Sequence, residues 1–317
     1  MNPVRVARRY ACGLALFLWS CGTSADRATL PSGQPRNVRA NHCLERVTVS
    51  GYIPPGVSGI DADGRGEILA VTERNSELLH ISLKGNRATV QSVISLSGLK
   101  SDQDAEALAR LDRERVAVGT ERHGNSREYD DIFVYQLEGS KAIQIDRLRL
   151  PYAMWNIFAD DNRGIEGACY AKGALLVGIE TPISEGETRY APIARYSFDT
   201  KQWMAFRLRL TSKEGVLSSL ACRPSAAGGQ IEVVAIERFY QTSRILKFYI
   251  SSAGPGRDLN PVLEKDLAHL IRGHMPNWEG IAFSNADSYV LMSDNQSASL
   301  SGPTELTRIH KSPVNCP

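Results

Sequence analysis

The chain has 317 residues, 42% hydrophobic and 23% charged, and 37 Lys and Arg against 35 Asp and Glu give a net charge of +2. A charge this close to zero removes any bulk electrostatic argument for nucleic acid or an anionic membrane surface as partner. The six cysteines make the redox compartment the first thing to settle.

The N-terminus settles it. Arg5, Arg8 and Arg9 make a cationic start, residues 11–18 are a short apolar core, and Leu18-Trp19-Ser20-Cys21 reads as a bacterial lipobox. This predicts a lipoprotein signal peptide over residues 1–20, with cleavage before Cys21 and lipidation of that cysteine, whose acyl chains would hold the protein at a membrane surface. The alternative is an ordinary secretory signal with an incidental cysteine. Both readings export the chain; the lipoprotein reading places it in the cell envelope, periplasmic or outer-membrane associated, with membrane contact through the lipid anchor only. Loss of the three arginines takes the net charge from +2 to −1. No later apolar stretch approaches the ~20 residues of a spanning helix.

Residues 21–41 are the predicted flexible tether, rich from residue 24 in Ser, Pro, Arg, Asn and Gly. The folded body spans residues 42–317. It opens with a lone strand pattern over residues 46–52, and then one phrase recurs five times. Its clearest form is Asn277-Trp278-Glu279-Gly280-Ile281-Ala282, followed by an apolar run ending in Asp294. Residues 165–168 lead likewise to Glu180, residues 105–109 to Glu121, residues 58–60 to Glu73 and residues 218–221 to Glu237. The phrases start at Ser58, Glu106, Glu166, Ser218 and Glu279, in steps of 48, 60, 52 and 61 residues. A period near 50 built from short strands predicts an all-β fold, a β-propeller with one sheet per repeat.

Within one repeat, strands are expected over residues 167–171, 174–179, 193–198 and 203–210, with turns at Lys172-Gly173 and at residues 199–202. The second repeat repeats this over residues 131–137 and 142–150. Five four-stranded blades are counted. A sixth would need a degenerate repeat within residues 258–275, which reads instead as a strand plus a helical insert. The fifth repeat has one more strand, over residues 304–310, and then ends. The strand at residues 46–52 is therefore expected to complete the last blade and close the ring, because an open ring would leave two apolar faces wet.

With Cys12 cleaved off and Cys21 lipidated, four cysteines remain, and an oxidising compartment favours disulfides. Cys169 and Cys222 lie a few residues after the phrase in adjacent repeats, and Cys43 and Cys316 lie at the two ends of the body. The expected pairs are Cys169–Cys222 and Cys43–Cys316. No CxxC supports a zinc alternative.

In each blade the phrase opens the first strand and the acid closes the antiparallel second, so both should sit at one edge. Glu106/Glu121, Glu166/Glu180 and Glu279/Asp294 are expected as opposed pairs on one rim, with Cβ atoms ~5 Å apart, joined by Glu73 and Glu237. Eight carboxylates at one channel mouth need a cationic neighbour. Arg74, Arg122, Arg163 and Arg238 lie beside the acids in sequence; the other filler is a hard cation such as Ca²⁺. The bland reading is that these acids cap strand ends and pair with arginines. The functional one gives Glu106, Glu121, Glu166, Glu279 and Asp294 to a metal. It gives Glu166, Glu180, Glu279 and Asp294 to catalysis, and Arg122, Arg163 and Arg238 to the oxyanions of a substrate.

The stretch Asp161-Asn162-Arg163-Gly164-Ile165-Glu166-Gly167-Ala168, with residues 175–183 after it, resembles the core signature of the phytase-like propeller family, also called esterase-like activity of phytase. Val234-Ala235-Ile236-Glu237-Arg238 and residues 277–282 with 293–295 match the same family in the expected order. The resemblance covers residues 57–296. It implies an exported β-propeller with a calcium-dependent phosphoester or ester hydrolase activity. Ser58-Gly59 and Ser218-Ser219 depart from the pattern by lacking the glutamate.

Rival motifs are weak. Arg122-His123-Gly124-Asn125-Ser126-Arg127 resembles the heart of the histidine acid phosphatases, but two residues separate Gly124 from Arg127 where that family has one, and His123 reads as a polar rim residue. No Gly-x-Ser-x-Gly elbow, His-Glu-x-x-His or phosphate-binding Gly-rich loop occurs. Two classes stand: a metal-assisted hydrolase of phosphoesters or other anionic esters, and a non-catalytic envelope propeller binding a small ligand or a protein partner. The expected chain is a monomer with a small anionic ester or phosphate ligand and no nucleic acid.

Overall fold

A computed structural model describes residues 44–100, 102–124, 126–251, 258–268, 276–294 and 304–311. The expected signal peptide, the expected lipidation site Cys21, the expected tether and the expected Cys43–Cys316 pair lie outside the described residues, as do residues 269–275 of the expected helical insert. Among the described residues no helix is long and apolar enough to cross a membrane.

The chain is all-β. Strand β1 (Leu44–Ser50) precedes the first antiparallel sheet, β2 (Val57–Ala62), β3 (Glu67–Thr72), β4 (Glu77–Lys84) and β5 (Arg87–Leu96). The second sheet is β6 (Gln103–Arg110), β7 (Arg115–Arg122), β8 (Tyr129–Glu138) and β9 (Lys141–Pro151). The third is β10 (Ile165–Ala171), β11 (Ala174–Ile179), the short β12 (Ile183–Glu185), β13 (Thr188–Ser197) and β14 (Gln202–Arg209). The fourth is β15 (Val216–Pro224), β16 (Gln230–Phe239), β17 (Thr242–Ser251), the two-residue β18 (Asp258–Leu259), which pairs back onto β14, and β19 (Val262–Asp266). The last is β20 (Asn277–Phe283), β21 (Ser288–Asp294) and β22 (Leu306–His310). β1 supplies its fourth strand, antiparallel to β22 with Leu44 opposite Ile309.

Local sequence explains the layering. Second strands such as β11 and β21 are buried along their whole length, because both faces of each sheet are covered by neighbouring sheets and a continuous apolar run suits that environment. The fourth strand β9 alternates between buried and exposed positions at the wet margin. Lys172 and Gly173 both take positive φ, 51° and 73°, the two-residue turn that matches the twist of the strands it joins. The third strand of that sheet starts at Thr188 rather than residue 193, because it also pairs with β12.

The first strand of each sheet is innermost. β2 packs on β6, β6 on β10, β10 on β15, β15 on β20, and β20 on β2 again. That closed circuit makes the body a β-propeller. Its core is accordingly divided into layers between adjacent sheets. Leu176 and Phe206 of the third sheet meet Leu220 and Phe248 of the fourth, while Val234 and Ile236 of the fourth meet Trp278 and Leu291 of the last. The Cys169–Cys222 disulfide joins β10 to β15 across one such layer, with Cα atoms 5.6 Å apart.

Candidate functional site

The recurring phrase has a backbone cause. The pairing between first and second strand shifts by one residue in every sheet, between Val57 and Ile60, Ala105 and Ala107, Ile165 and Gly167, Leu217 and Ser219, and Trp278 and Gly280. Each innermost strand thus carries a β-bulge, and the extra residue is Ser58, Glu106, Glu166, Ser218 or Glu279. A bulge re-aims its residue and leaves it outside the ladder. The glycine that follows has a steric cause. A Cβ on Gly167 would lie 2.6 Å from the Leu220 amide nitrogen, and one on Gly59 would lie 2.6 Å from that of Leu108. Neighbouring innermost strands touch backbone to backbone there. Where the bulge carries serine, its hydroxyl knits adjacent strands: Ser58 Oγ donates to the Glu106 carbonyl at 2.7 Å, and Ser218 Oγ to that of Trp278 at 3.0 Å.

The expected face-to-face pairs therefore do not exist. Asp104, not Glu106, opposes Glu121, and Asn277, not Glu279, opposes Asp294; Glu166 likewise sits in the bulge while Ile165 opposes Ile179. The acids still gather at one end of the axis, as two tiers. One tier is the bulge residues. The other follows the partner of the residue before each bulge: Glu73, Glu121, Glu180, Arg238 and Asp294.

Register also corrects Glu237. Leu217 pairs with Glu237, so Arg238 holds the place in its sheet that the acids hold in the others. A one-residue offset in a strand turns a side chain to the opposite face. Glu237 accordingly faces the loop after β14, where its carboxylate accepts the Thr211 and Ser212 N–H groups at 2.8 to 3.1 Å and both of their hydroxyls. It is structural.

Glu73, Glu106 and Glu279 each present a carboxylate oxygen such that the three lie within 4.8 Å of one another, and all three residues are buried. At an effective dielectric near 20, two like charges at that spacing repel by about 3 kcal/mol, so the cluster needs protons or a cation. The charges register this. Burial, then Glu73, Glu279 and Glu121, push the Glu106 carboxyl well above the usual range. Burial, then Glu180, Glu106, Glu121 and Glu279, do the same to Glu166. Burial pushes Glu121 up to about 7, against the opposing Gly164 N–H and Arg127. Burial raises Glu180 too, with Arg238 and Arg163 countering.

Arg238 is the cation already in place. Its Nη2 donates to Glu279 Oε1, which also accepts from Asn277 Nδ2 at 2.8 Å. Burial works against its charge, but Glu279, Glu166, Glu180 and Asp294 outweigh that and raise its pKa. Its Nε is buried without a hydrogen-bond partner.

The other arginines separate. Arg163 is exposed, and its charge is felt at Glu180. Arg74 is exposed. Arg122 does not face the acids: it donates to the Tyr129 carbonyl at 2.7 Å, lies over the Tyr129 ring and sits 3.5 Å from Asp130. The guanidinium beside Glu121 is that of Arg127, which sequence reading passed over; its fork on Asp130 and its bonds to the carbonyls of Gly124 and Asp160 hold the loop in front of β10. Glu73 was placed on the rim but left out of the metal set, because its sheet carries Ser58 at the bulge. Its equivalence to Glu121 was the available signal. His123 lies 3.4 Å from Asp104 and 3.7 Å from Asp161, outside the cluster.

A model of the family described as "Phytase-like: Esterase-like activity of phytase" matches residues 55–297. No curated protein sequence matches the chain. Similar solved structures include the soluble aldose sugar dehydrogenase of Escherichia coli in its apo form (TM-score 0.46, 8% identity, 85% of this chain and 99% of that one). Others are YCF48 bound to a D1 peptide (0.36, 13%, 82% and 72%) and the Nup133 β-propeller domain of Vanderwaltozyma polyspora (0.34, 13%, 80% and 71%). Likenesses this distant say nothing of what this chain binds.

Proposed function

The chain belongs to the phytase-like family, and on that premise we propose that the acid end of its propeller is a calcium site serving hydrolysis of an anionic ester. The observation that carries the reading is the convergence of Glu73, Glu106 and Glu279 from three sheets, with oxygens within 4.8 Å of one another. Oxygens within 4.8 Å of one another can share one cation at the calcium–oxygen distance of about 2.4 Å. The donors are carboxylates alone, the chemistry of a hard cation.

When bound, a divalent cation supplies Lewis-acid polarisation of a phosphoryl or carboxyl oxygen and acidifies bound water. The chain's own residues divide the remaining work. Glu121, Glu166 and Asp294 stand in the tiers around the three ligands and complete the negative field that favours the ion. Arg238 offers its unpartnered Nε to a substrate oxyanion, and Arg163 adds a second positive charge at the entrance. Glu180, half-buried between the charges of these two arginines, is placed to take and return a proton. Glu279 orients Arg238. Arg122 has no part in the reading.

The Arg238–Glu279 bond favours a second reading, in which the rim is partly neutralised from within and the propeller binds its ligand without turnover. Rates on p-nitrophenyl phosphate, phytate and a panel of carboxylic esters, with Ca²⁺ or with chelator, separate the two. Chelator-sensitive turnover supports the hydrolase; a saturable Ca²⁺-induced thermal shift without turnover supports the binder. Absence of any Ca²⁺ effect on rate or melting removes the calcium hydrolase, and absence of turnover on every ester favours the binder. We also propose that the protein is anchored through Cys21 in the cell envelope, which palmitate labelling of wild type and Cys21→Ala tests: label retained in the variant sinks the anchor.

A further inference from the structure

Strands alternate in direction within each sheet, so every loop that leads into a first strand or out of a second one lies at the acid end of the axis. Eight large apolar side chains are exposed among the described residues. Five of them belong to third and fourth strands, β9, β17 and β19, away from the axis. The three that belong to loops are all aromatic and all at the acid end: Tyr52 before β2, Phe158 before β10 and Tyr240 after β16.

A lone exposed aromatic needs no explanation, but Tyr240 stands at a place where folding would choose another residue. Phe239 pairs with Thr242, so Tyr240 and Gln241 form a two-residue turn, and Tyr240 takes φ 41°. That left-handed conformation is strained for a bulky side chain and comfortable for glycine or asparagine. The ring is 84% exposed, so burial does not offset the strain. Phe239 holds it in place: the two rings meet edge to face, with centroids 4.6 Å apart and planes at 83°. Tyr240 also follows Arg238 by two residues, about 7 Å along an extended strand. The Arg238 side chain, which bonds Glu279, keeps 25% of its surface exposed.

We propose that the ligand of the acid end is an anion carrying an aromatic ring, as in an aryl ester, with its oxyanion beside Arg238 and its ring packed on Tyr240. The inference rests on the reading that an oxyanion is held at this end, and adds what is attached to it. Two strand residues separate the charge from the ring, a step that a phenyl phosphate can bridge. Two rings at right angles offer mainly arene surface, which suits a third ring, offset or edge-on, better than the hydroxyl-rich body of a sugar.

Calorimetry of the full chain in calcium buffer with phenylphosphonate and with n-butylphosphonate, whose P–C bonds resist hydrolysis, tests it. The expected result is saturable one-to-one binding, with phenylphosphonate tighter by about threefold or more. Tyr240→Ala and Tyr240→Asn should erase that preference, and Tyr240→Asn should melt no lower than wild type because asparagine suits the turn. Tyr249→Ala, which removes an exposed tyrosine toward the other end of β17, should keep the preference. Equal wild-type affinity for the two anions, lack of saturation, or a preference that survives in Tyr240→Asn overturns the inference. Tighter binding of glucose 6-phosphate than of phenylphosphonate overturns the ligand class. Because the titration reads binding, Tyr240-dependent binding without turnover on any ester sinks the hydrolase and leaves this inference standing. Turnover with no aryl preference does the reverse.

Discussion

Arg238 of β16 stands where Glu180 stands in the preceding sheet, and it reaches across to bond Glu279 of the sheet that follows. One position in the second tier is thereby basic, and the acids around it are held with one built-in counter-charge. Replacing Arg238 by Gln should destabilise the ion-free protein by about 2 kcal/mol, less than the 3–5 of a fully buried broken pair because the side chain is partly exposed. The Ca²⁺-induced rise in melting temperature should grow. Melting curves with calcium and with chelator check both, and an unchanged calcium effect would argue that Arg238 does not feel the ion.

Glu106→Gln removes one of the three clustered carboxylates. Relief of repulsion should raise the melting temperature of the ion-free protein by a few degrees, the equivalent of about 1 kcal/mol, and abolish the calcium shift. A variant that is less stable without calcium yet keeps the shift would show that Glu106 serves packing alone.

Acidity gives a signed expectation. Glu121 is pushed up to about 7 from its usual 4.5 by burial, so between those values the folded chain holds a proton that the unfolded chain has released. Stability without ion should then fall as pH rises from about 4.5 through 7, since stability declines with pH wherever the native state binds more protons. The ion needs deprotonated ligands, and Glu106 is raised too, so the calcium shift should be larger at pH 8 than at pH 5. Melting curves across this range decide it; a calcium shift that shrinks toward pH 8 contradicts the site.

Glu237 supplies the contrast. Its carboxylate is fully buried and accepts two amide and two hydroxyl groups. Glu237→Gln should cost about 1–3 kcal/mol through weakened charge-assisted bonds while leaving calcium affinity unaltered. Urea unfolding and calcium titration of the same variant read the two effects, and weakened calcium binding at intact fold would return Glu237 to the ring.

Gly167→Ala tests the backbone contact between β10 and β15. A methyl group 2.6 Å from the Leu220 amide nitrogen has backbone, not a flexible side chain, to displace, and should cost about 2–3 kcal/mol. A variant as stable as wild type in urea would mean that the innermost strands can part without loss.

Much of this architecture was legible locally. The repeat marks the first strand of each sheet, apolar runs mark the buried second strands, and the solitary strand pattern before the first repeat finds its partner in β22. The Cys169–Cys222 bond followed from adjacent repeats, although the two are offset by one residue: Cys169 lies three after its bulge residue and Cys222 four. The site was legible only as an inventory of acids. Glu237 looked equivalent to Glu180 because each ends an apolar run, and Arg122 looked equivalent to Arg238 because each follows a glutamate in sequence. Nothing within a single strand distinguishes these cases.

What the sequence determined alone is periodicity: alternation, run length and a recurring phrase are properties of the chain read along itself, and they suffice for strands, sheets and their order. What tertiary structure decided is facing. A bulge adds one residue to a strand whose side chains alternate every second residue, so a single step of register between β15 and β16 turned Glu237 away and brought Arg238 in. The closing of the innermost strands on one another then set Glu73, Glu106 and Glu279 side by side, a neighbourhood that exists only once strands far apart in the chain share an axis.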